Sequence, residues 1–395
     1  MSSPQNHSTR VGSGPGSLLQ LFLDGSAHTK AQLTRTTGLS RSTVSSRIDV
    51  LVRKGLLKPA GEAASSGGRP PAQIEFNRRA KIVISADLGV THGVVALSDL
   101  GGEILAMTQE KIRIADGPEL VLDWLVTCAR KLLAEGGYAE EAVAGIGVGV
   151  PGPVEFITGR PTNPPLMPSW EGFSIPDYLR ESFDLPVLVD NDVNILALGE
   201  QAMLWPNVDD LVFIKVATGI GAGIISGGAL QRGARGTAGD LGHVLVPYSR
   251  NSPRDPKDER DLEAIASGSA IAAWLTTKGI AAKTSEDVVE LVRGGNVEAI
   301  QATRQAGREI GEVLAILVNT LNPSTIVIGG SIAASGEELL AGIREVIYHR
   351  STPLATQNLS IVQSQAGYAG GVLGAAIMVI QRVLSVEAVN LLCEE

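Results

Sequence analysis

Apolar residues in the first fifth of the chain recur at helical spacing in three short segments. We predict helices over residues 17–23, 28–38 and 41–54. Gly38 is placed to end the second helix, and Ser40 to act as the N-cap of the third. Three apolar positions of the third helix share one face: Val44, Ile48 and Leu51. Two helices joined by a short turn with Gly indicate a helix-turn-helix unit.

A Gly- and Pro-rich segment over residues 65–71 follows these helices, and apolar and polar residues then alternate over 73–76. This pattern predicts a β-hairpin wing with Arg69 at its tip. We therefore assign residues 16–79 to a winged helix-turn-helix domain, preceded by a flexible segment over 1–15. A three-helix dimerisation module with a flexible linker is the alternative interpretation.

From residue 82 onward, apolar strand patterns alternate with helical ones, which predicts an α/β domain over residues 80–395. The opening strand–turn–strand unit (82–97) has a second copy over 210–223, each with Gly and Thr at its bend. Such a repeat is typical of a duplicated nucleotide-binding fold, in which turn N–H groups face phosphates across a cleft. A third turn, Gly329-Gly330, follows a strand at a helix start. Ordinary hairpin and strand–helix turns would look the same.

Charge separates the two predicted domains. The chain has 33 basic and 42 acidic residues, but residues 1–80 carry a net charge of +7 and the remainder −16. A basic domain on an acidic body indicates a polyanionic partner, here double-stranded DNA. The candidate DNA-binding residues are the polar positions of the third helix and the wing tip: Arg41, Ser42, Thr43, Ser45, Ser46, Arg47 and Arg69.

Composition excludes several classes of protein. With only Cys128 and Cys393, a disulfide framework or a cysteine-rich zinc site is excluded. No apolar run approaches the roughly 18 residues of a membrane span. Residues 1–10 are polar and lack the apolar stretch of a signal peptide. We therefore expect a soluble cytoplasmic protein that does not bind membranes.

Three motifs identify the body more closely. They are Gly149-Val-Pro-Gly-Pro-Val, Asp190-Asn-Asp-Val-Asn194 continuing to Glu200, and Gly233 through Ala238-Gly-Asp-Leu-Gly-His243. With these motifs, residues 80–380 resemble the ROK (repressor, open reading frame, kinase) family, and the head resembles the winged helix of its repressor branch. The resemblance implies an actin-like, ribonuclease-H-like sugar-kinase fold with two lobes around a cleft.

The resemblance also implies roles for particular residues. The sugar-binding set would be Gly152, Asn191, Asp192, Asp240, His243 and Glu263. In family members that are kinases, the residue at Asp192 is the general base that deprotonates the attacking hydroxyl. An ordinary strand-end aspartate that accepts from turn amides is the alternative. The phosphate-binding set, degenerate here, would be Asp87, Gly89, Thr91, Thr218, Gly219, Gly221, Gly329 and Gly330.

Three departures from the family pattern modify these expectations. Residues 244–262 contain no Cys where the family commonly has a zinc module, so we expect no structural zinc and no other metal. Val90 and His92 replace a Gly and a Lys of the first phosphate turn, which should weaken phosphate binding. Asp240 replaces a Glu, so the preferred sugar should differ.

These observations predict a DNA-binding transcriptional regulator, a repressor, of carbohydrate genes, whose kinase-like body senses a sugar or sugar phosphate. A homodimer or tetramer is expected, with no required cofactor. An active ATP-dependent kinase of hexoses or N-acetylhexosamines, using ATP and Mg²⁺, is the first alternative. A purely structural interaction protein is the second.

Overall fold

The computed structural model describes residues 14–62, 72–246 and 260–394. Within its described residues, the N-terminal region has three α-helices and three short strands: α1 (Pro15–Leu19), β1 (His28–Thr29), α2 (Lys30–Thr37), α3 (Arg41–Arg53), β2 (Leu57–Glu62) and β3 (Ala72–Phe76). The strands form an antiparallel sheet in the order β1-β3-β2. The first helix is shorter than predicted, because a 3₁₀ turn over Gln20–Phe22 follows it.

Local side-chain contacts set the ends of α2 and α3. Thr29 and Gln32 form a capping box at the start of α2, and Gly38 ends it with a φ of 70°. Ser40 is the N-cap of α3, as predicted, and its Oγ accepts from the Thr43 N–H at 3.1 Å. The predicted apolar face is confirmed, since Val44, Ile48 and Leu51 are buried.

The first lobe of the body is built on a five-stranded sheet of order β10-β7-β4-β5-β6. Its strands are β4 (Ile82–Leu88), β5 (Gly93–Asp99), β6 (Ile104–Glu110), β7 (Val143–Val150) and β10 (Val187–Asn191). Strands β4, β5 and β6 are antiparallel, whereas β7 and β10 run parallel to β4. Two helices and a small hairpin complete the lobe: α4 (Pro118–Gly136), α5 (Ile175–Ser182), β8 (Val154–Glu155) and β9 (Arg160–Pro161). Leu120, on α4, is exposed.

The second lobe has the same strand arrangement, in the order β13-β12-β11-β14-β15. Its strands are β11 (Leu211–Val216), β12 (Ile220–Ser226), β13 (Ala229–Leu230), β14 (Thr325–Gly329) and β15 (Ser360–Gln363). An antiparallel meander again lies beside two parallel strands. The sheet is accompanied by α7 (Leu262–Ala266), α8 (Gly268–Thr277), α9 (Ser285–Arg293), α10 (Val297–Leu321), α11 (Glu338–Arg350) and α12 (Pro353–Thr356). The predicted duplication is therefore present in the fold.

Two helices, α6 (Asp192–Leu204) and α13 (Gly367–Val383), pack closely against each other and connect the lobes. Helix α6 contacts β11 and β12, and α13 contacts β4 and β7. A Cβ on Gly199 would lie 1.8 Å from the Gly370 carbonyl oxygen, and one on Gly374 would lie 1.7 Å from that of Ile195. Only glycine permits this approach of the two backbones.

The last helix, α14 (Val386–Glu394), packs on α1 at the other end of the chain. Leu18, Leu19 and Phe22 share an apolar cluster with Leu384 and Val389. The N-terminal domain is thus joined to the body by noncovalent contacts as well as by the chain at residue 80.

No described helix taken singly combines the length and apolarity of a membrane span. Helices α13 and α14 meet these criteria only as a pair bent by 54°.

Candidate functional site

The predicted DNA-reading face of α3 is only partly exposed. Arg41, Ser42 and Ser46 are exposed, whereas Thr43, Ser45 and Arg47 are half-buried. The Arg47 Nη1 atom is buried with no hydrogen-bond partner among the described residues. Arg69 lies outside the described residues.

Sequence reasoning missed Lys30, an exposed residue at the start of α2. Its Nζ donates to Ser45 Oγ at 2.8 Å and lies 3.3 Å from Asp49 Oδ1. The ammonium group therefore lies against α3, at the surface that carries the candidate DNA contacts. A lone Lys in the preceding helix gives no sequence signal for this placement.

The Asn-Asp-x-Asn motif shapes the junction between β10 and α6. Asn191 caps the helix by accepting from the Val193 N–H at 2.9 Å, and its Nδ2 donates to the Gly152 carbonyl at 2.9 Å. Asn194 donates to Asp190 at 2.7 Å. These contacts bring Gly152, Asn191 and Asp192 together and place Asp192 in the first turn of α6.

Lys215, which sequence reasoning did not select, forms an ion pair with Asp192. Its Nζ donates to Asp192 Oδ2, and the two side chains are 22% and 5% exposed. Burial acts to lower the pKa of Lys215, but the charges of Asp192 and Asp87 outweigh it and raise that pKa above its ordinary value. The available signal was a Lys inside the apolar strand β11, because a buried cation needs a partner.

Asp87 lies at the end of β4 and is 7% exposed. A Cβ on Gly371 would lie 2.1 Å from its Oδ2, so the carboxyl group lies directly against α13. Burial raises the pKa of Asp87 to about 7; the charge of Lys215 opposes this shift, and that of Asp192 adds to it.

The first candidate phosphate-binding turn, over residues 89–92, is closed by a hydrogen bond between its two ends. The Gly89 N–H donates to the His92 carbonyl at 2.8 Å. The His92 ring lies over Gly89, where a Cβ would be 2.4 Å from Cε1, and it meets the Tyr368 ring edge-on at 5.4 Å between centroids. Burial, followed by the charge of Lys215, lowers the pKa of His92 and favours the neutral ring. This geometry agrees with weakened phosphate binding, which stays a prediction.

The other two candidate phosphate turns meet at the end of β11. The Thr218 carbonyl accepts from Ser269 Oγ at 3.0 Å. Gly330 has a φ of 93°, and a Cβ there would lie 2.4 Å from the Val216 carbonyl oxygen. The fold therefore gathers turns that are more than a hundred residues apart in sequence, at the edge that also carries Lys215.

The remaining candidate sugar residues form a second group. His243 Nδ1 lies 2.8 Å from Asp240 Oδ1, and this hydrogen bond is the main reason that the pKa of His243 is raised. Glu263 Oε2 accepts from the Ile220 N–H at 2.8 Å, so this carboxylate holds the second turn. The Gly239 carbonyl accepts from the Ala222 N–H at 2.8 Å and ties the loop to β12. This strand packs on α6 and so links the two groups.

Arg232, which sequence reasoning also missed, contacts the Asn-Asp-x-Asn motif through Asp190. Its Nε donates to the buried Asp190 carboxylate at 2.6 Å, and its guanidinium lies 4.0 Å from the centre of the Phe156 ring. Such a charge-assisted hydrogen bond restricts Asp190, which in turn holds Asn194.

The described residues contain no cluster of three or more His, Cys, Asp or Glu side chains placed to bind a metal ion. Residues 247–259, most of the segment at which the family's zinc module is expected, lie outside the described residues. The absence of structural zinc stays a prediction.

A protein family and several relatives resemble this chain over most of its length. The pattern of the ROK family matches residues 83–382. The chain belongs to the ROK family. A xylose repressor of Caldicellulosiruptor bescii is 29% identical over 382 residues, covering 93% of this chain and 95% of the relative. A glucokinase of Halalkalibacterium halodurans is also 29% identical, covering 78% of this chain and 97% of the relative.

The fold of this ROK protein is also that of a solved regulator. A crystal structure of a ROK family transcriptional regulator, described as a homolog of the E. coli MLC protein, has a TM-score of 0.80. It is 24% identical and covers 96% of this chain and 98% of its own. The likeness therefore extends over both the N-terminal domain and the two lobes.

Proposed function

We propose that this ROK protein is a DNA-binding transcriptional regulator, a repressor of carbohydrate genes, whose two-lobed body senses a sugar or sugar phosphate. The observation that supports the proposal is the N-terminal unit of three helices and the β1-β3-β2 sheet, with Arg41, Ser42 and Ser46 exposed on α3. The relative named a xylose repressor has both parts of the chain within its match, whereas the matched glucokinase covers a share close to that of the body alone.

Contacts between α1 and α14 support a route from the cleft to the DNA-binding domain. The Gly16 N–H donates to Asn390 Oδ1 at 2.8 Å, and Gln20 Nε2 donates to the Leu384 carbonyl at 2.8 Å. Helix α13 lies against Asp87 through Gly371 at one end and leads into α14 at the other. A ligand that moves α13 would therefore move the support of α1.

The mechanism we propose is a shift between two arrangements of the lobes. A ligand changes DNA affinity only when it binds one arrangement more tightly than the other. We propose that the protein acts as a homodimer or tetramer, in which lobe closure alters the separation of two DNA-binding domains. Light scattering of the purified chain measures the oligomeric state.

Selection of bound sequences from a random DNA pool, followed by fluorescence anisotropy, tests the proposal. Arg41→Ala with Ser46→Ala should weaken operator binding, because these side chains are exposed on α3. Arg180→Ala, an exposed charge of the first lobe, is the matched control and should bind as wild type does. Specific binding that persists after removal of residues 1–80 would contradict the proposal.

A second titration tests sensing. Pentoses, hexoses, N-acetylhexosamines and their phosphates are added to the protein–operator complex, and a sugar should change the DNA affinity. Asn390→Ala removes the acceptor of the Gly16 N–H, so it should reduce the effect of the sugar on DNA binding more than it reduces sugar affinity. If no sugar binds to the protein, the sensing function is wrong.

An ATP-dependent sugar kinase is the second candidate, favoured by the position of Asp192 at the start of α6 beside the gathered turns. Release of ADP with the same sugars tests it. Turnover that depends on Asp192, together with DNA binding that is indifferent to every sugar, would favour the kinase over the regulator.

A further inference from the structure

Phosphoryl transfer from ATP makes two demands on a cleft of this kind. A divalent cation must neutralise the charge of the phosphates, and a carboxylate must keep a free lone pair for the proton of the attacking hydroxyl. Carboxylates from the protein, together with phosphate oxygens and water, are the usual ligands of Mg²⁺. Asp87 and Asp192 are the two carboxylates that act on each other at this edge of the cleft, and they are the candidates for both tasks.

The carboxylates of Asp87 and Asp192 do not fit a divalent cation, because the Lys215 ammonium already lies beside them. Lys215 donates to Asp192 Oδ2, and it also acts electrostatically on Asp87. Asp192 is 4% exposed and Asp87 is 7% exposed, so water does little to neutralise either group. A divalent ion at this position would have to displace an ammonium that is bound to a buried carboxylate, and it would repel that ammonium at short range.

The approach of a phosphate is restricted on the adjacent side. The His92 ring covers Gly89, whose N–H already donates within the turn. The edge-on contact with Tyr368 holds this ring in place. Lys215 therefore excludes a divalent cation from the cleft by its charge, and His92 restricts a phosphate by its volume.

We propose that the Lys215 ammonium takes the place of a divalent metal ion in this cleft, so that the protein binds its ligand without Mg²⁺ and without phosphoryl transfer. Lys215 is then the residue that determines whether this cleft only binds a ligand or also catalyses phosphoryl transfer. The inference concerns the same cleft as the proposed sugar sensor, but its test uses no DNA, so the two stand or fall separately.

Mn²⁺ binding to the full-length chain, followed by the electron paramagnetic resonance signal of the free ion, tests the proposal. Wild type should show no bound Mn²⁺ that Asp192→Asn removes. Lys215→Ala should bind one Mn²⁺ per chain, at least about tenfold more tightly than wild type. The double variant Lys215→Ala with Asp192→Asn should lose this binding, because one of the two carboxylates is gone.

Lys278→Ala is the matched control, because this lysine is exposed and lies over the Trp274 ring rather than against Asp87 or Asp192. It should behave as wild type does. Mn²⁺ should also raise the melting temperature of Lys215→Ala, because the ion restores the missing positive charge, and should leave that of wild type unchanged.

Several results would overturn the proposal. One is Mn²⁺ binding by wild type that Asp192→Asn abolishes, and another is a folded Lys215→Ala that binds no Mn²⁺. Release of ADP by wild type with Mg²⁺ and any sugar would overturn it as well. Where Lys215→Ala does not fold even with Mn²⁺, the two wild-type measurements decide alone. Sugar-dependent operator release has no bearing on these results, so it tests the proposed function by itself.

Discussion

The two lobes share one strand topology but place opposite charges at equivalent positions. Asp87 pairs with Val94 on the next strand and with Gly149 on the parallel neighbour. Lys215 pairs in the same way with Gly221 and Gly329. Acidic Asp87 in the first repeat and basic Lys215 in the second therefore both lie at the penultimate position of their strands. Each side chain acts electrostatically on the other between the lobes.

The turns that follow these strands differ as well. In the first lobe, His92 covers the turn, whereas in the second the turn is held by Glu263 and the side chain of Ser269. The shared strand topology therefore places functional side chains at equivalent positions, and a few substitutions at those positions set their chemistry.

Among the variants, Lys215→Ala has the largest expected effect. Lys215→Ala leaves the buried Asp192 carboxylate without its ion-pair partner, and we expect a loss of about 3–5 kcal/mol in the free energy of unfolding, measured with urea. Asp192→Asn should cost less, because the amide carries no buried charge and the Lys215 side chain is partly exposed to water. Adding Asp192→Asn to Lys215→Ala should recover part of the loss, and losses that simply add in the double variant would contradict a shared site.

Asp192→Asn should have the next largest effect, on ligand binding. The amide keeps the size and one acceptor but loses the charge, so a charge-assisted hydrogen bond to a sugar hydroxyl is lost at a cost of about 1–3 kcal/mol. Calorimetry gives the binding constant, and the sugar concentration that changes operator binding should shift by the same factor. An unchanged binding constant would remove Asp192 from the sugar site.

Asp87→Asn should change how stability depends on pH. The folded protein keeps a proton on Asp87 up to about pH 7, whereas the unfolded chain releases it near pH 4. The contribution of Asp87 to stability therefore falls as pH rises through this window. The melting temperature of wild type, relative to that of Asp87→Asn, should decline between pH 5 and 8. The contribution of His92 is present in both proteins and cancels in the difference, and parallel curves would contradict the raised pKa.

The smallest expected effect is that of metal removal. Because residues 244–262 lack thiolates, the second lobe should hold no stoichiometric zinc, and a chelator should leave the melting temperature unchanged. Elemental analysis of the purified chain provides the control. One zinc per chain would mean that carboxylates and His243 build a site that the family pattern does not anticipate.

Local signals predicted much of the fold. The N-cap Ser40 and the buried face of Val44, Ile48 and Leu51 were read from spacing, because helix ends and apolar faces depend on neighbours within a turn or two. The strand–turn–strand repeat was visible for the same reason. The helix predicted over residues 17–23 misses the 3₁₀ turn over Gln20–Phe22, because a short apolar run does not show where an α-helix gives way to a 3₁₀ turn.

The sequence by itself determined the order of the elements, the charge contrast between the two domains, and the motif that places Asp192 at a helix start. Only the tertiary structure decided that Lys215 meets Asp192, that His92 covers Gly89, and that the last helix supports the first. The first and third of these pairs join different elements of the fold, and the second depends on the three-dimensional path of the turn between its two residues. Helical and strand periodicity records which face a residue occupies, whereas the partner of a buried charge depends on which distant surface the fold brings to that face.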